Sequence, residues 1–362
     1  MPARPGELIA NEQLRSLNEA IQSNILAKTC IRYLDCKAVW EDIQQQERVD
    51  SVIQAFREYA ANSWHKHVKQ GIVNSEEVVQ LINTFFYPAN ENWESWRKYS
   101  ENALQNQMIQ YEGELSLGNP LFYASLLGLS KTVTHFVEEV GLDVNCVDSS
   151  NRTALLAASS KGWVLGVIQL LQKGASVNIA SDEGRTPIYA GASQGYVEVV
   201  KLLLEKGADL TVTNKNGWTP LICAANSGHD KIVSLLLAQQ NVDPQSSDAN
   251  GRTALSWAAS KGHETVIELL IADERLDGNS QDHAGLTPLM WAARKSQDST
   301  VNFLVQHGCS MHGSDRHSFF FQIAMFMTHK AFEMVATVMH FEIDDFTLGL
   351  VGLFEEIEYW DH

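Results

Sequence analysis

Thr186-Pro187-Ile188-Tyr189-Ala190-Gly191-Ala192-Ser193-Gln194-Gly195 is the stretch that decides the fold, together with the apolar run after it. That run passes through Val199, Val200, Leu202, Leu203 and Leu204 and stops at Gly207. The opening triplet recurs as Asn119-Pro120-Leu121, Thr153-Ala154-Leu155, Thr219-Pro220-Leu221, Thr253-Ala254-Leu255 and Thr287-Pro288-Leu289. The middle residues fall at 120, 154, 187, 220, 254 and 288, in steps of 34, 33, 33, 34 and 34. A fixed period near 33 over six copies predicts a stack of identical supersecondary units.

Each part of the unit has a physical reason. Thr followed by Pro starts a helix, since Pro at the first helical position lacks only a donor that would be orphaned anyway. Paired small residues let this short helix lie close to a second one: Gly191-Ala192 before Gly195, Ala224-Ala225 before Gly228, Ala258-Ala259 before Gly262, and Ala157-Ala158 before Gly162 with one extra residue. Gly174, Gly207 and Gly308 stand where a helix should end in the left-handed region. The longer steps are expected in the connections Gly141-Leu142-Asp143 and Gln240-Asn241-Val242. One unit alone is too small to bury its apolar face, so the stack supplies the core. This pattern resembles the ankyrin repeat, and the resemblance implies an all-α solenoid that works by binding.

Bulk composition narrows the function. Hydrophobic residues make up 44% of the 362, enough for a packed core. The formal net charge of −17 argues against a nucleic-acid backbone or an anionic membrane as main partner. The five cysteines, Cys30, Cys36, Cys146, Cys223 and Cys309, show no CxxC pair and no metal-ligand spacing, as expected of reduced thiols. The start, Met1 to Gly6, lacks the apolar core of a signal peptide, and no window has the 18 apolar residues that span a bilayer. A cytoplasmic or nuclear protein is expected.

Ahead of the repeats, apolar residues at helical spacing predict four helices. They run over 8–34, over 49–70, over 75–87 behind Ser75, and from Asn90 through Trp93, Trp96, Tyr99 and Leu104. Three segments here, Leu26 to Leu34, Tyr59 to His67 and Trp93-Glu94-Ser95-Trp96, resemble the helical segment of fungal NACHT–ankyrin proteins, which joins their nucleotide-binding domain to the repeats. That family's NTPase activity does not carry over. The chain has no G-x-x-x-x-G-K-[ST] phosphate loop, and too few residues precede the segment to hold the domain.

The expected organisation is a helical module over 1–115, six ankyrin repeats over 116–313, and a degenerate seventh repeat with an acidic cap helix over 314–362. Phe319 to Met325 stands one period on, without Thr, Pro or Gly. Residues 315–362 carry nine acids, Asp315, Glu333, Glu342, Asp344, Asp345, Glu355, Glu356, Glu358 and Asp361, against Arg316 and Lys330, a net charge of 2 − 9 = −7.

The residues before each Thr, at the hairpin tips, are Arg152, Arg185, Trp218, Arg252 and Leu286. Arg and Trp most often dominate interface energies. The candidate partner-binding residues are Arg185, Lys215, Trp218, Arg252, Tyr196, Asn226 and Arg294. Bases at the tips of an acidic chain point to an acidic protein partner on the concave face, or to an anionic small molecule. A stripe of Tyr123, Cys223, Trp257 and Trp291 reads as inter-repeat packing, or as an aromatic wall on that face. His65 and His67, two apart on a helix, point to different faces and make no metal pair. No catalytic residue, metal or cofactor is expected. The function expected is a non-enzymatic binding scaffold. The alternative is a fungal specialised-metabolism enzyme, of cyclase or isomerase type, using a pocket between module and array. Trp64, Trp93, Trp96, Trp163, Tyr196, Trp218 and Trp257 would line it, with Glu58, His65 or His67 as acid or base.

Overall fold

The computed structural model describes residues 5–40, 51–70, 76–87, 90–105 and 119–309. These are helices joined by turns, and their strand-like pairings are two isolated bridges, Val147 with Thr153 and Ser247 with Thr253. The chain divides into two compact units, Met1–Asp182 and Glu183–His362.

The first unit opens with α1 (Pro5–Leu34), α2 (Ser51–Gln70), α3 (Glu76–Phe85) and α4 (Glu91–Gln105). These are the four helices that the apolar spacing predicts. Asn90 caps α4, its Oδ1 accepting from Asn92 N at 2.9 Å. Asn90 Nδ2 donates to Asp35 Oδ1 (2.7 Å) and Asn92 Nδ2 to Asp35 O (2.8 Å), tying the start of α4 to the residue after α1. Then come α5 (Pro120–Leu127), α6 (Ser130–Thr134) running into a π turn over His135–Glu139, α7 (Ala154–Ser160) and α8 (Val164–Gln172). An aromatic cluster joins the module to the first repeat. Ring centroids lie 4.5 Å apart for Phe86–Trp93, 5.3 Å for Trp93–Trp96 and 5.2 Å for Trp93–Tyr123. Each pair is worth about 0.5–1.5 kcal/mol beyond the area it buries.

Among its described residues the second unit holds four repeats, each a helix pair: α9 (Pro187–Gln194) and α10 (Val197–Glu205), α11 (Pro220–Asn226) and α12 (Asp230–Leu237), α13 (Ala254–Lys261) and α14 (Glu264–Ile271), α15 (Pro288–Arg294) and α16 (Asp298–Gln306). First helices pack on first helices, and α10, α12 and α14 pack in a second row. Thr186, Thr219, Thr253 and Thr287 cap their helices as expected, each Oγ1 accepting from the backbone N three residues on, at 3.2–3.4 Å. Gly191 lies against α10: a Cβ there would stand 3.2 Å from Val199 and 3.4 Å from Val200. Leu203 is fully buried.

Two details differ from the sequence reading. In repeat two, Gly162 follows Ala154 by the same eight positions that separate Pro187 from Gly195, so no residue is extra. The small pair in register is Ala158-Ser159, both fully buried. In repeat one the surplus residue is not in the connection. Gly141, with φ 75°, follows Pro120 by 21 positions, while Gly207, with φ 76°, follows Pro187 by 20. The π turn at His135–Glu139 takes up the difference. In repeat four the surplus does lie after the helix. There Arg275 of the next repeat donates to Leu237 O (2.9 Å) and Val242 O (3.0 Å), satisfying carbonyls that a left-handed glycine would otherwise help to close. The expected seventh repeat and acidic cap lie outside the described residues.

Candidate functional site

The tips are built on one device. Asp148, Asn214, Asp248 and Asp282 each use Oδ1 to accept the backbone N–H two and four residues on, at 2.9–3.0 Å. Glycines follow at 217, 251 and 285 with φ of 76–78°, where a side chain would be strained. In the second unit, backbone bonds link consecutive tips: Lys215 N to Glu183 O (3.0 Å), Ala249 N to Asn216 O (3.0 Å) and His283 N to Asn250 O (2.9 Å). The side chain before each Thr is therefore carried on a fixed frame.

On that frame stands a ladder of alternating indoles and guanidiniums. The Trp218 ring lies 4.7 Å from Trp257, tilted by 58°. Arg252 is sandwiched, its Cζ 3.5 Å from the Trp257 ring and 3.8 Å from the Trp291 ring. Arg294 sits 5.2 Å from the Trp291 ring. The second oxygens of the tip carboxylates fix the indoles: Trp257 Nε1 donates to Asp248 Oδ2 (3.0 Å) and Trp291 Nε1 to Asp282 Oδ2 (2.8 Å). In Trp218's repeat Asn214 replaces the Asp and donates instead to Tyr189 Oη at 3.1 Å. Trp218 stands at the tip itself, four residues after Asn214, where the next repeat has Arg252, and its half-exposed indole N–H has no partner among the described residues.

Arg252, a candidate partner-binding residue at its tip, is 8% exposed and forms a rung of the ladder. Burial lowers the affinity of its guanidinium for a proton, and Asp248 and Asp282 offset only part of that. Of the other candidates, Lys215 is exposed and pairs with Glu183 at 2.8 Å. Arg185 lies near Tyr189 and Cys223, where burial pushes the Cys223 thiol up to about 11 despite Tyr189, Arg185 and Ser193 pulling it down. Tyr196 precedes α10 in the register that His229 and His263 hold one and two repeats later. Those imidazoles reach Ser193 O (3.2 Å) and Asn226 O (3.1 Å) of the preceding repeat. The register of Tyr196 and the backbone of Asn226 thus belong to repeat spacing, whereas Trp218, Arg252 and Arg294 come together. The sequence reading missed Asp248 and Asp282. Their signal was an Asp nine residues before each Trp of the stripe, written twice.

Charge in the second unit is segregated. Among the described residues, tips and first helices carry Arg185, Lys215, Arg252, Lys261, Arg294 and Lys295 against Glu183, the buried Asp248 and Asp282, and exposed Asp182 at the last position before the unit. Second helices and their connections carry Glu198, Glu205, Asp209, Asp230, Asp243, Glu264, Glu268, Asp273, Glu274, Asp277 and Asp298 against Lys201, Lys206, Lys231 and Arg275.

In the first unit an open groove of about 630 Å³ runs between α3 and the first repeat, walled by Glu76, Gln80, Thr84 and Tyr87 on one side and Lys131, Thr134, His135 and Glu139 on the other. It is not the aromatic pocket expected of an enzyme at this seam. Trp64, Trp93 and Trp96 are at most 2% exposed and lie in the core. Of the two histidines weighed there, His67 meets Tyr59 Oη at 2.6 Å. Among the described residues no three His, Cys, Asp or Glu side chains converge on a metal-sized site, and no helix is long and apolar enough to cross a membrane.

A family profile described as "Ankyrin repeats (3 copies)" matches residues 121–214, 210–282 and 240–315. No curated protein matches the chain.

Proposed function

Because this chain belongs to the ankyrin-repeat family, we propose that it is a non-enzymatic scaffold whose concave face takes an acidic protein partner across repeats three to six. The observation that carries this reading is the half-exposed, tilted Trp218–Trp257 pair among the cations of the tips and first helices. Trp218 offers apolar area and an uncommitted donor, and Lys261, Arg294 and Lys295 are exposed beside the ladder. Acidic second helices on the other side favour one docking face over the other. The openness of the groove in the first unit supports a binding role over an enclosed reaction site. The proposal includes the three-part organisation at 1–115, 116–313 and 314–362, and a cytoplasmic or nuclear address. It also includes kinship of the N-terminal helices with the linker segment of fungal NACHT–ankyrin proteins.

The test is affinity for the partner recovered by capture from native extract, at low and high salt. Trp218→Ala should cost more than about 2 kcal/mol of binding, as a hot spot does. Lys201→Ala, on the opposite row, should cost less than about 0.5 kcal/mol, as energetically neutral positions do. Salt should weaken the wild-type complex, since exposed charges are screened beyond about 8–10 Å. Equal losses for both variants would move the site off this face.

A further inference from the structure

We propose that the cationic Trp–Arg face of the second unit is occupied in cis by the chain's own acidic segment, residues 341–362. The idea rests on the reading above, that this face takes acidic, aromatic-bearing polypeptide. It adds the identity of one such polypeptide.

Complementarity carries the inference. Residues 341–362 hold seven carboxylates, no Lys or Arg, and the aromatic residues Phe341, Phe346, Phe354, Tyr359 and Trp360. The face they would meet offers exposed Lys261, Arg294 and Lys295 on or capping the helices that carry Trp257 and Trp291, and on Trp218 an indole donor without a partner among the described residues. Carboxylates match the cations and the Trp218 N–H, and aromatic rings match the open end of the indole–guanidinium ladder. The opposite row of the same unit is acidic and would repel this segment. The 31 residues from 310 to 340 join the segment to the last described repeat. Tethering sets an effective concentration on the order of mM, enough to fill a face of modest affinity. A partner in trans must then displace the segment, which makes the face self-masking.

The test uses full-length chains and a fluorescent peptide of residues 341–362. In one variant the seven acids of that segment become Asn or Gln. This neutralised chain should bind the peptide at least about tenfold more tightly than the parent, because its tethered competitor is gone. Adding Lys261→Glu and Lys295→Glu, both exposed positions, should cancel the gain while circular dichroism stays unchanged. In the parent, carbodiimide should join acids of the segment to Lys261 or Lys295 within single chains. Equal affinity of parent and neutralised chain would overturn the cis occupant but leave the acidic-partner reading standing. No binding to either chain would overturn both. Cross-links only to Lys201, Lys206 or Lys231, or only between two chains, would also overturn the cis occupant.

Discussion

At the scale of single residues, burial and backbone geometry set the cost of change. Leu203 is fully buried in the middle of α10, so Leu203→Ala should lower stability by about 2–5 kcal/mol, read as a shift of the urea midpoint. Two glycines separate two effects. Gly207 (φ 76°) has open space where a Cβ would go, while a Cβ on Gly228 (φ 73°) would stand 2.8 Å from the His263 ring. Gly207→Ala should therefore cost only the left-handed penalty, about 1–2 kcal/mol. Gly228→Ala should cost measurably more, and the excess should shrink when His263 is also made Ala. The positive φ at Gly207 was legible from its place after an apolar run. The role of Gly228 was not, because the ring it makes room for lies 35 residues further along the chain.

At the scale of elements, the helix pairs were legible because period, Thr-Pro starts and apolar runs all agree. The π turn and the Trp–Arg ladder were not. A surplus residue can be taken up in a connection or inside a helix, and the letters Gly141-Leu142-Asp143 do not tell which. Arg252 looked like a tip donor because its tip position was right; its direction is set by two indoles, each held by an Asp nine residues earlier. The seam in the first unit is open to test. Trp93 is 2% exposed and touches Phe85, Phe86, Trp96 and Tyr123, linking the N-terminal helices to the first repeat. Trp93→Ala should cost about 3–5 kcal/mol. The near-ultraviolet dichroism of the aromatic cluster should fall with it, while Leu203→Ala leaves that signal in place at temperatures below melting.

At the scale of the whole molecule, acid stability follows from the carboxylates. A hydrogen bond and the charge of Arg97 hold Glu94 below its ordinary value, Arg275 does the same for Asp273, and hydrogen bonds alone, from the Thr211 hydroxyl and backbone N–H, hold Asp209 below its own. A group whose folded pKa is depressed stabilises fully above its unfolded value and loses that contribution as pH falls through the folded one. The urea midpoint should be level from neutral pH down to about 4.5 and drop below it, and Glu94→Gln should flatten part of that drop. The two rows of the second unit have a consequence at the bench as well. Ion exchangers respond to the surface they touch and not to the sum over a molecule. With a pI near 5.1, the chain should bind an anion exchanger at pH 7. Once the seven acids of 341–362 are neutralised, a sulfonate resin should also retain it at the same pH and low salt, still well above its isoelectric point. Such a protein behaves toward charged surfaces as a directional object, with a front that one resin holds and a back that the other does.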